Sequence, residues 1–515
     1  MNDVLNQSKE RRISAALRLT LAILLLLGQI AVVVILNYFL RQYLIVGYAV
    51  LELLAVIVSL RIFVRPGSIS YKFGWIMLIL ALPVAGIIFY LLWSGDFRRG
   101  RGDLKDMPPS ELTREEQAKS RVTVEKMGAK QPEAGRIAAY LDRKGFALYD
   151  NTRVKYFADS REYLEDMFQT MEKARRFILM EHYIMAEGDL WERLLYICRC
   201  KSNEGVEIKI LFDDFGSMMR VSPTAVEALR QCGAEVLVFN PVHQYVNRLY
   251  FNYRDHRKVV AVDDFVYTGG VNFADEYAGA EDRFSHWKDC GVRLQGGGSW
   301  GLIREFIRMW RRCGGQMQYP EEVYQTRMQT MAQGFCQPFA DGPDRRPQSI
   351  AQDVILQMIH GAKKSLDITT PYLAIDEAMM KALCMAADSG VEVHLIMPGI
   401  PDHQFALLVA ESYWGELLNH GVKIFTYTGG FLHGKSLLAD GNIGYVGSAN
   451  MDYRSFQLHF ECGVLLYHVA ELKALQQDQI QTAAESEEVT LEQWRHRPWK
   501  HKLFGAVLRL FAAWM

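Results

Sequence analysis

His256 and Lys258 stand two residues apart and are followed by Asp263. His433 and Lys435 repeat the arrangement ahead of Asp440, so both copies read H-x-K-x4-D. Each copy is trailed by a glycine-turn-asparagine element, at 268–272 ending in Asn272 and at 446–450 ending in Asn450. A single His-x-Lys would be read as structural, but a duplicated one with matching downstream context points to chemistry. A neutral imidazole can attack phosphorus and divide one hard displacement into two easier ones. A second imidazole, protonated at the start, can give its proton to the departing alkoxide and later take one from an incoming alcohol. Lys258 and Lys435, with the amides of Asn272 and Asn450, would supply charge and donors to the phosphoryl oxygens. Residues two apart on a strand share a face, so His and Lys of each copy point the same way. Asp289 and Glu461 occupy equivalent positions downstream, and a carboxylate on the far ring nitrogen would orient each imidazole. We expect them crossed, Glu461 on His256 and Asp289 on His433. Asp263 and Asp440 complete the motif set but precede turn-like residues, which suits a structural or charge-balancing role.

The duplication extends beyond the motif. Segment 176–183 corresponds to 365–372, 205–211 to 390–396, and 289–292 to 461–464. Two long copies exclude a solenoid and favour a pair of pseudo-twofold α/β halves with the site between them. Apolar strand-length runs alternate with amphipathic helix-length ones, which argues for mixed or largely parallel sheets flanked by helices. The halves are expected at 136–330 and 331–480. Segment 429–436 spells a nucleotide phosphate-loop pattern, yet a turn at 440–442 follows where that motif needs a helix, so no nucleotide is expected. A metal is disfavoured because a lysine inside the motif would repel it.

Residues 1–97 read as a membrane anchor of two to three helices, with apolar stretches at 19–40, 43–60 and 73–93 near the roughly 20 residues a bilayer requires. No small-residue cleavage site follows the first, so a removable signal is not expected. Glu52 interrupts the second, which suits a re-entrant or packed segment. Basic clusters on both sides of the anchor give the positive-inside rule conflicting votes. Eight cysteines without a paired framework favour a reducing compartment, so the catalytic part is placed on the cytoplasmic side of a multi-pass cell-membrane protein. A polar linker is expected over 98–135, partly helical around 112–127. The segment 481–515 is basic and amphipathic, suited equally to an anionic membrane surface and to docking on the protein's own core. A net charge of −1 gives no polyanion-binding signature, and nucleic acid is not expected as a partner.

These features resemble the phospholipase D superfamily, and within it the bacterial cardiolipin synthases. The similarity is carried by 253–258, 268–277, 370–372, 431–435 and 447–456, and spans the chain from about 154 onward together with both termini. A third apolar stretch departs from the two usual in that family. The resemblance implies that His256 is the nucleophile and His433 the general acid and then base. It implies two phosphatidylglycerol molecules as substrates, cardiolipin and glycerol as products, and no cofactor. Hydrolysis of phospholipid, transfer to another alcohol, and an inactive membrane scaffold stay open as alternatives. The residues leave oligomeric state unread.

Overall fold

The computed structural model describes residues 44–65, 67, 69–93, 112–241, 253–279, 284, 286–326, 332–345 and 349–512, with 24, 27, 28, 31 and 32. Two mixed sheets share one strand order. The first runs Thr152–Phe157, Gly291–Gly296, Phe265–Gly269, Val259–Val262, Phe177–His182, Glu207–Asp213, Glu235–Phe239. The second runs Phe335–Asp341, His459–Tyr467, Ile443–Gly447, Ser436–Ala439, Ser365–Thr369, Glu392–Pro398, Lys423–Tyr427, and gains Ser486–Val489 at its edge. In each half only three consecutive strands pair in parallel. Helices such as Asp189–Asn203 connect those strands and give the chain length for a crossover. The strand after each motif instead reverses through a tight turn, Asp263-Asp264 in one half and 440–442 in the other, and a tight turn imposes antiparallel pairing. Parallel pairing is therefore the minority arrangement in both sheets.

Strands Phe177–His182 and Glu207–Asp213 are buried along their whole length, which explains why their apolar runs do not alternate. One hydrophobic core runs through both halves, joining Val266 and Val292 to Val446 and Val464. The halves are thus packed together through a shared core.

Several segment boundaries differ from the sequence reading. Within the expected linker, 98–111 lies outside the described residues. Helix Arg114–Gly128, closed by a Thr113–Glu116 capping box, docks on the first half. Its Ser120 accepts from the Leu148 amide at 3.0 Å, and its Glu116 accepts from Trp300 Nε1 at 2.8 Å. The next helix, Pro132–Arg143, spans the expected boundary at 135/136 and reaches the second half, where Tyr140 donates to Asp353 at 2.5 Å. At the other end, helix Leu472–Ala484 runs through 480 and the sheet continues to Val489.

Helix Leu44–Phe63 is 20 residues long, about 30 Å at 1.5 Å per residue, enough to cross a bilayer. Its Val46–Phe63 window has mean hydropathy 2.0 and is only 17% buried, so its apolar side chains face outward rather than into a core. Glu52 sits exposed on an unbroken helix, and no re-entrant break occurs there. The stretch 73–93 is not one span: Pro83, lacking an N–H, divides it into Ile69–Ala81 and Pro83–Trp93. Among the described residues only Leu44–Phe63 is both long and apolar enough to cross a membrane. The stretch 19–40 lies outside the described residues except for five positions.

The carboxyl-terminal helix Trp499–Leu510 is docked on one side and exposed on the other. One side docks on helix Gln404–Asn419: a Cβ on Gly505 would lie 2.7 Å from the Leu408 carbonyl, and Arg509 donates to the Ser412 carbonyl at 3.0 Å. The other side leaves Trp499, Leu503 and Phe504 more than half exposed.

Candidate active site

Two short parallel pairings cross between the halves and build the site. Arg254-Asp255, immediately before His256, pairs with His459-Phe460, immediately before Glu461. Phe431-Leu432, before His433, pairs with Trp287-Lys288, before Asp289. The His256 amide donates to the Phe460 carbonyl at 2.9 Å and the His433 amide to the Lys288 carbonyl at 2.7 Å. In each pairing this register places an imidazole beside a carboxylate from the opposite half. His256 Nδ1 lies 3.0 and 3.1 Å from the Glu461 oxygens, and His433 Nδ1 lies 2.6 Å from Asp289. With Nδ1 so engaged, Nε2 is the atom of each ring left for the cavity that both histidines line.

That cavity has a volume of about 580 Å3 and is also lined by Asn272, Asn450, Tyr183, Tyr277, Trp287, Arg454 and His459. The lysines sit behind the histidines, each hydrogen-bonded to the carbonyl of its own motif histidine, Lys258 at 2.6 Å. Asn272 donates to Tyr277 Oη at 2.7 Å and accepts from the Ile184 amide at 3.2 Å. Asn450 donates to Asp452 at 3.0 Å while its Oδ1 finds no partner.

Burial, helped by Lys258, pushes the His256 imidazole down to about 4, against the pull of Glu461, so His256 is neutral at pH 7. His433 is held well below the usual range by burial, then by Lys435 and Lys258. Burial also lowers Lys258 to about 7 and Lys435 to about 8. The two carboxylates diverge. Burial raises Asp289 to about 7 although Lys435 opposes it. Burial would raise Glu461 too, but His256 and then His459 hold it well below the usual carboxylate range. A lysine with a lowered pKa is charged only below that value. We therefore expect kcat/KM to hold down toward pH 4 to 5 at the His256 limb and to fall as pH rises through about 7 to 8. A pH profile on vesicles of constant composition checks this.

Asp263 and Asp440 do not join the site. Asp263 accepts from the amides of Arg175, Arg176 and Phe177, and Asp440 from those of Lys363, Lys364 and Ser365. Both adopt left-handed backbone, φ 52° and 51°, at the hairpin turns that follow the motif strands. They belong to the motif because the turn ties the motif strand to its neighbour, not because they touch the reacting atoms. Alanine at either position should cost about 2 kcal/mol by stranding three amide donors and straining the turn. Denaturant melts should show this loss, with the pH profile of the folded enzyme unchanged.

The sequence reading missed His459. It stands two residues before Glu461 on the same strand and lines the cavity, and its Nε2 accepts from Arg454 Nε at 3.2 Å. Period-two alternation from Glu461 was the available signal. His256, His459 and Glu461 bring three donor atoms within 4.8 Å of one another. Lys258 and Arg454 put positive charge beside this group, and Glu461 is already bonded to His256 and Ser448, so the arrangement suits proton handling better than a divalent cation.

Comparison with known proteins gives consistent results. The family described as "Cardiolipin synthase, PLD-like domain" matches 355–482, and that described as "Phospholipase_D-nuclease N-terminal" matches 53–95. A cardiolipin synthase of Halalkalibacterium halodurans is 31% identical over 92% of this chain and 95% of its own length. One of Geobacillus sp. is 31% identical over 86% and 88%. An uncharacterised protein of Streptococcus mutans is 33% identical over 85% and 95%. Among solved structures, the phosphatidylserine synthase of Haemophilus influenzae superposes with TM-score 0.55 at 14% identity, covering 70% of this chain and 94% of that one, a likeness of fold.

Proposed function

Because the chain belongs to the cardiolipin synthase family of the phospholipase D superfamily, we propose that it transfers a phosphatidyl group from one phosphatidylglycerol to another, giving cardiolipin and glycerol. The observation that carries this reading is the pair of crossed histidine–carboxylate contacts opening into one cavity.

His256, neutral and oriented by Glu461, attacks the phosphorus of the first lipid through Nε2. The bond to the glycerol oxygen breaks, and that oxygen takes a proton from the His433–Asp289 pair. Asp289, raised to about 7, lets this pair hold one proton near neutrality. The product of this step is a phosphatidyl-His256 and free glycerol. His433 then removes a proton from a headgroup hydroxyl of the second lipid, whose oxygen attacks phosphorus and expels His256. Lys258, Lys435 and the two asparagine amides stabilise the charge on the non-bridging oxygens in both steps. One phosphodiester replaces another, so the step consumes no nucleotide. Apolar walls from Phe284, Trp287, Phe405 and Val409 hold water away from the intermediate.

We place the enzyme in the cell membrane. Leu44–Phe63 and the exposed apolar side of Trp499–Leu510 support contact with lipid, and the eight free cysteines support a cytoplasmic catalytic part. The test is incubation of the reconstituted full chain with radiolabelled phosphatidylglycerol. Cardiolipin with equimolar glycerol is the expected result. Phosphatidic acid would make the protein a hydrolase, and absence of any lipid product would make it a scaffold.

A further inference from the structure

The two halves supply near-identical groups, yet the proposed reaction needs one histidine as nucleophile and the other as proton carrier. The equivalence is broken around the two carboxylates, where Ser448 donates to Glu461 and its counterpart is Gly270, and again two residues before each carboxylate. Two residues before Asp289 stands Trp287, and two residues before Glu461 stands His459. Trp287 packs its ring 5.9 Å from that of His433 and offers no bond to Asp289. His459 lies 5.3 Å from His256, ring to ring, with its Nδ1 3.7 Å from Glu461. Arg454 donates to His459 Nε2, which fixes the tautomer that carries its proton on Nδ1, toward Glu461. The position equivalent to Arg454 in the first half is Glu276, bound to Arg220, so no such line exists beside Asp289.

We infer that His459 is a positioning residue that commits His256 to the nucleophilic role: its Nδ1–H has no hydrogen-bond partner among the described residues and lies 3.7 Å from Glu461, where its dipole favours the ionised carboxylate that orients His256. Arg454 sets His459, His459 sets Glu461, and Glu461 sets the tautomer whose Nε2 lone pair faces the cavity. On the opposite side Asp289 accepts from the Cys290 amide at 2.8 Å but has no second imidazole beside it, and burial raises it, as a proton carrier requires. This inference rests on the phosphatidyl-histidine reading above.

The test uses the reconstituted full-length enzyme with His459→Asn, which keeps a donor toward Glu461, and His459→Leu, which keeps only bulk. Labelled phosphatidyl-enzyme is trapped by denaturing quench and mapped, and kcat is followed with pH. The acidic limb belongs to the His256–Glu461 pair, and removing the Nδ1–H lets that pair take up a proton at higher pH, so the limb should move upward in His459→Leu, with kcat down about tenfold or more and less trapped label on His256. His459→Asn should recover part of both. An acidic limb that stays in place in His459→Leu, whether or not kcat falls, overturns the inference. A wild-type enzyme that makes cardiolipin without label on His256 overturns the covalent reading itself, and the two failures are thereby distinct.

Discussion

Alanine at His256 should lower cardiolipin formation by about 10^4-fold or more, close to 5.4 kcal/mol of barrier at 1.36 kcal/mol per decade. Alanine at His433 should give the same loss with phosphatidylglycerol but a different residue of activity. The first step needs a proton only because glycerol is a poor leaving group. With phosphatidyl-p-nitrophenol the departing oxygen needs none, so the His433→Ala enzyme should release one nitrophenol per active site and then stall. It lacks the base that would activate the acceptor alcohol. His256→Ala should show no burst, since no nucleophile remains. Stopped-flow absorbance against active-site concentration separates the two variants, and equal bursts would overturn the division of roles. Neither variant should lose much stability, because both side chains border the cavity and neither fills the core.

The residues in and behind the cavity were legible because duplication makes equivalent positions visible. His256 and His433, the two lysines, the two asparagines and the two carboxylates all recur at matched intervals. The crossing follows from the two inter-half pairings, each only two residues long in register and without a periodic signal of its own. His459 escaped because its counterpart is a tryptophan, and a search for repeated residues passes over the place where the repeat is broken. The break within the stretch 73–93 escaped for a different reason. Hydropathy averages over a window, and Pro83 barely lowers that average while it ends a helix. Helix Arg114–Gly128 looked like a solvated linker because its buried face includes Ser120 and Thr123. The hydroxyl of Ser120 is satisfied by Asp142 and the Leu148 amide, contacts that lie 22 and 28 residues away and have no local signature.

Glutamine at Glu461 should be nearly as damaging as loss of His256, although it removes no atom of reach. A carboxylate can only accept, so it holds the proton of His256 on Nδ1 and leaves Nε2 with a lone pair toward the cavity. The glutamine amide can present its NH2 group instead, which favours the tautomer protonated on Nε2 and blinds the nucleophile. A loss of about 10^3 to 10^4 in kcat is expected, the size found when an orienting carboxylate is made an amide in a catalytic triad. Asparagine at Asp289 acts on the other ring with a milder first-step consequence. A His433 protonated on Nε2 still presents a donor to the departing glycerol oxygen, though a weaker acid than the imidazolium. The nitrophenol substrate again sharpens the comparison. Asp289→Asn should retain most of the burst and Glu461→Gln almost none. A Glu461→Gln enzyme with a full burst would mean that His256 does not depend on its carboxylate for its tautomer.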